Sequence, residues 1–149
     1  MSEHKATVDW SRGDRDFSYR EYSRDHVWRF ENGAEVRASA APQFLGNADC
    51  VDPEAAFVAS LSSCHMLTFL ALCARDGIVV DRYEDHAVGH LERNGKGRHA
   101  VTRVALHPRI TFGANAPDAA TLKTLHDRAH HECFIANSVL TQVTVQPPE

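Results

Sequence analysis

Apolar and polar positions along this chain change their period several times. Lys5 to Trp10 and Phe17 to Tyr22 carry β-forming residues in partial alternation, and Arg12-Gly13-Asp14 between them has the composition of a hairpin turn. His26 to Phe30 extends the second run or begins a third strand. Asn32-Gly33 is a strong turn signal, and Glu35 to Ala40 can follow as a strand. Pro42 to Val51 reads as a loop. The alternation then gives way to a long apolar run. Asp52 can cap a helix, Pro53 suits its first position, and Glu54 favours its positive end. The run reaches about Arg75, with Gly77 as the stop. Ile78 to Arg93 and Arg98 to Phe112 read as two long strands joined by the Asn94-Gly95-Lys96-Gly97 turn, with Pro108 marking an edge or bulge. Asp118 caps a second helix that shows Leu122, Leu125 and Ala129 on one face and ends near Cys133. A break near Asn137 precedes a last strand, Val139 to Val145. The order predicts an α+β fold, with antiparallel hairpins packed on two helices.

Composition narrows this picture. The 149 residues fit a single domain, 1–149. The formal net charge is −4, which speaks against nucleic acid as a partner. The polar N-terminus lacks an apolar run of signal-peptide length, so a cytoplasmic location is expected. Ala55 to Ala74 is long enough to raise the question of a membrane span. It contains Ser60, Ser62, Ser63, Cys64, His65 and Thr68, however, and no second span accompanies it. The expectation is no membrane, and a helix buried on nearly all sides within a soluble protein.

Four cysteines and ten histidines are the unusual counts. They suffice for one redox pair or one metal site. Cys73 lies nine residues after Cys64, about 180° around the helix at ~100° per residue, so the two cannot share a site. Cys73, among Leu70, Leu72 and Ala74, reads as a small core hydrophobe, and Cys50 as an incidental thiol. The Ser62-Ser63-Cys64-His65 run inside an apolar helix is odd, because polar groups in a core need partners. A reactive thiol needs a lowered pKa. Cys64 lies about 15 Å beyond Glu54 at ~1.5 Å per residue, too far for the helix terminus to activate it. A cation from another element must do so, and Arg12, Arg15, Arg20, Arg24, Arg29 and Arg37 are the candidates. If Glu54 takes part, it does so through an arginine or a second subunit. His130 and Cys133 share one helix face and with Cys64 and His65 could form a Cys2His2 metal set. No C-x2-C pair exists, so no metal and no cofactor are expected.

The segment Val51-Asp52-Pro53-Glu54 through Ser62-Ser63-Cys64-His65-Met66 resembles the central helix of OsmC/Ohr-type proteins, with a Pro-Glu pair and a cysteine ten residues after the Glu. Ala129-His130-His131-Glu132-Cys133, followed by Asn137, resembles the family's second motif. The resemblance implies an intertwined homodimer with sites at the interface and a thiol peroxidase acting on organic, including lipid, hydroperoxides. It implies Cys64 as the peroxidatic thiol and Cys133 as the resolving thiol, regenerated by an external dithiol, of which a lipoyl type is one form. Glu54 matches the carboxylate that holds the activating arginine. Arg37 fits the OsmC placement of that arginine, and Arg24 is the alternative. Phe134-Ile135-Ala136 and His65 depart from the hydroperoxide resistance branch. His65, Phe57, Met66 and His130 are the candidate substrate-binding residues. The competing reading is a protein without turnover that holds an apolar ligand at a dimer interface lined by Phe57, Met66, Phe69 and Leu70.

Overall fold

A computed structural model describes residues 1–146; the last three positions of the expected 1–149 domain lie outside the described residues. The chain divides into two compact units, Met1–Ala56 and Phe57–Glu149.

The first unit holds an antiparallel sheet of β1 (Ala6–Asp9), β2 (His26–Phe30) and β3 (Glu35–Ala38), in that order. Arg29 ties the three strands together through Asp9 at 2.7 Å and Glu35 at 2.8 Å. The Asn32-Gly33 turn forms as expected, with Gly33 at φ 87 and Asn32 Oδ1 accepting from Ala34 N. Phe17 to Tyr22 does not form the expected strand. Its backbone turns, Glu21 and Tyr22 both donating to Ser18 O, and its aromatic side chains pack with Trp10 into a cluster. β1 therefore pairs with His26–Phe30 instead. Alternating aromatics fit a loop cluster as readily as a sheet face, so alternation alone does not specify a strand.

The helix α1 (Pro53–Arg75) starts where the sequence places it: Asp52 Oδ1 accepts from Ala55 N at 2.9 Å. By length and a mean hydropathy of 1.7 it could cross a membrane. It is not buried on nearly all sides. Leu61, His65, Phe69, Leu72 and Cys73 form a buried stripe, whereas Ala59, Ser63, Leu67 and Ala71, spaced four apart, are exposed in the single chain.

In the second unit the two long strands each break. Ile78–Arg93 becomes β4 (Val80–Asp85) and β5 (Val88–Arg93); the returning run becomes β6 (His99–Leu106) and β7 (Pro108–Phe112). β4 pairs with β7, and β5 with β6, in separate sheets. The break is held by Asp85, whose carboxylate accepts from His107 N at 2.6 Å, and by Pro108, which opens β7. The helix α2 (Ala119–Glu132) follows, with Asp118 accepting from Thr121 N at 2.7 Å. The last strand, β8 (Gln142–Val145), runs parallel to β6, so this sheet is mixed and not wholly antiparallel.

Two clusters bury α1. Its first half sets Leu61 against Val104 and Leu106 of β6. Its second half sets Phe69, Leu72 and Cys73 against Leu125 and Ala129 of α2, over Val80, Tyr83 and Ile110 of the β4–β7 sheet. Close approach at the first contact requires Gly89, where a Cβ would meet Val58 Cγ2 at 2.4 Å.

Candidate active site

Cys64 sits mid-helix on α1, half-buried, one residue before the buried His65. Cys133 ends α2 and is buried. The two helices make these thiols neighbours, close enough for Cys64 to act on the Cys133 thiol, from 69 positions apart in the chain. Burial, and then the neighbouring Cys64 side chain, push the Cys133 thiol up to about 11. The amide of Ala136 points at its Sγ from 3.4 Å and partly offsets this. Asn137 holds the chain here, its Nδ2 donating to His131 O at 2.9 Å and Cys133 O at 3.0 Å. Cys73 is buried in the α1–α2 core, where burial raises its thiol. Cys50 is half-buried in the first unit.

His65 does not join the thiols in a metal set. Its ring turns inward, 1% exposed, and its Nε2 lies 3.0 Å from His126 Nδ1. Burial first, and then His126 and His130, lower its pKa to about 4, so it is neutral at pH 7. Its Nδ1 is buried without a hydrogen-bond partner among the described residues. Among the described residues no group of three or more His, Cys, Asp or Glu could hold a metal ion. His130 lies exposed in the last turn of α2. Phe57 is half-buried against the β6 cluster, and Met66 is half-buried on α1.

Two residues here escape a sequence reading. His126 falls between Leu125 and Ala129 on the buried face of α2 and stacks on Phe69 at 4.5 Å. The face spacing that marks Leu122, Leu125 and Ala129 includes position 126 and is the signal for it. Asp85 accepts a hydrogen bond from Ser62 on α1, two residues before Cys64, which gives the serine run a partner.

In the first unit, Arg24 and Glu54 line one small cavity of about 210 Å³ with His26 and Phe44. Tyr22 O and Tyr19 O accept from the Arg24 guanidinium, which also lies 3.8 Å from the Tyr22 ring centre. Arg37 stands exposed on β3 and does not line this cavity.

The family model described as OsmC-like protein matches residues 46–147. The chain belongs to the OsmC-like family. An OsmC-like protein of unknown function from Vibrio cholerae O1 biovar eltor is 45% identical, with 98% of this chain and 99% of that one covered and a TM-score of 0.92. An organic hydroperoxide resistance protein OsmC from Legionella pneumophila shares the fold at 16% identity, 98% and 95% coverage and a TM-score of 0.71. OhrB, the organic hydroperoxide resistance protein of Bacillus subtilis, does so at 16% identity, 97% coverage of each chain and a TM-score of 0.69. No curated protein matches the chain. The two motifs of the OsmC-like chain fall at the middle of α1 and the end of α2, where the fold joins them.

Proposed function

We propose that this OsmC-like protein is a thiol peroxidase that reduces organic hydroperoxides to alcohols. The observation that carries the reading is the contact between Cys64 and Cys133. In the reaction the Cys64 thiolate attacks the distal oxygen of ROOH. The O–O bond breaks, RO⁻ takes up a proton and leaves as ROH, and Cys64 becomes a sulfenic acid. Cys133, deprotonated as it attacks, displaces hydroxide from that sulfur and forms a disulfide; the hydroxide takes up a proton as water. An external dithiol, of the lipoyl type in this reading, reduces the disulfide by exchange. Arg24 is the better-supported partner for Glu54, since both face one cavity. In this reading Arg24 supplies positive charge at a Cys64 thiolate, and the Glu54 carboxylate holds the guanidinium. Phe57, Met66 and His130 remain the proposed surroundings of the substrate; His65, turned into the core, does not reach it. The protein acts in the cytoplasm as a homodimer, and the exposed α1 stripe supports the second subunit.

The test is consumption of cumene hydroperoxide with dihydrolipoamide as reductant. Wild-type protein turns over. Cys64→Ser loses turnover by at least ~100-fold, the scale of removing a nucleophile. Turnover unchanged in Cys64→Ser would sink the mechanism.

A further inference from the structure

A cavity of about 550 Å³ lies in the second unit between α2, β7 and the end of β8. Neither Cys64 nor Cys133 lines it. Its size falls within the range of small-molecule sites. Pro108, Ile110, Phe112, Leu122 and Val145 make its walls apolar. Lys123 and Asp127, the charged side chains that line it, are closed on each other at 2.6 Å. They leave no net charge for an ionic ligand.

One buried polar ring also lines this cavity, His126, only 9% exposed. Its Nδ1 is engaged by His65 Nε2. Its Nε2, across the ring, has no hydrogen-bond partner among the described residues. The protonation of that atom follows from the pair. Both rings are neutral at pH 7, because burial lowers both pKa values. Each neutral ring carries one N–H. The unpartnered Nδ1 of His65 is then either a buried orphan N–H or a bare lone pair. Orphan N–H groups are the rarer and costlier case. His65 therefore holds its proton on Nε2 and donates to His126 Nδ1. His126 in turn holds its proton on Nε2, as a hydrogen-bond donor at an apolar wall.

We infer that this cavity binds a neutral, medium-chain apolar molecule with one acceptor oxygen, of the ketone or alcohol class, which receives the His126 Nε2–H. The inference does not rest on the peroxidase reading, and its test involves no hydroperoxide.

Titration calorimetry of the full chain with 2-octanone and with n-octane tests it. Wild-type protein binds one 2-octanone per chain, saturably and more tightly than n-octane. His126→Phe keeps a ring against Phe69 and removes the donor. It weakens 2-octanone roughly three- to tenfold, the range of one hydrogen bond, and leaves n-octane unchanged. Leu122→Trp fills the cavity and abolishes binding of both, and it stands as the test if His126→Phe fails to fold. Absence of saturation overturns the inference, as does binding that survives Leu122→Trp. So does a change in sedimentation on Leu122→Trp, which would mean that a second copy fills the cavity.

Discussion

Burial acts in opposite senses on two groups at the proposed redox site. It disfavours the charged form of each, so the Cys133 thiol is raised and the His65 imidazole lowered. For His65 this has a consequence for stability. The unfolded chain takes up a proton near the ordinary histidine pKa of about 6.5, while the folded one resists until about 4. The stabilisation is whole above pH 6.5 and is lost as the pH falls toward 4, by up to about 3 kcal/mol at 1.36 kcal/mol per unit. Urea unfolding between pH 7 and pH 4 should show this slope, and His65→Phe should reduce it to the part that His126 contributes. An unchanged slope in the variant would mean that other groups control acid sensitivity. The sequence makes Cys64 and Cys133 visible, because their motifs are local. It hides the His65–His126 pair, since its members stand 61 residues apart and are joined only by helix packing.

At the scale of elements, both long helices are legible from their caps, Asp52 with Pro53 and Asp118, because capping is chemistry between near neighbours. The strands are less so. Phe17 to Tyr22 has the alternation of a strand, but its backbone turns and its aromatic rings meet Trp10 in an exposed cluster. The long hairpin hides its break because Asp85 and His107 meet only after the strands pair. That contact should matter energetically. Asp85→Ala leaves the part-buried His107 amide and Ser62 hydroxyl without their acceptor, at a total cost of roughly 1–3 kcal/mol. Urea denaturation reads this as a lower midpoint with the same slope. A midpoint equal to wild type would show that the strand break is held by Pro108 and side-chain packing alone.

For the whole molecule, the single chain leaves one stripe of its most apolar helix uncovered, with Leu67 60% exposed. A homodimer that covers this stripe predicts a sedimenting mass of about twice 16.6 kDa, and Leu67→Glu should shift the equilibrium to the single chain. A wild-type monomer at micromolar concentration would contradict the proposed assembly. Peptide mapping reads the pairing of the two thiols. The reduced protein is treated with one equivalent of cumene hydroperoxide, free thiols are alkylated, and the disulfides are located. The expected product is a Cys64–Cys133 disulfide with Cys50 and Cys73 alkylated. Recovery of Cys133 as a free thiol after the hydroperoxide has been consumed would contradict it.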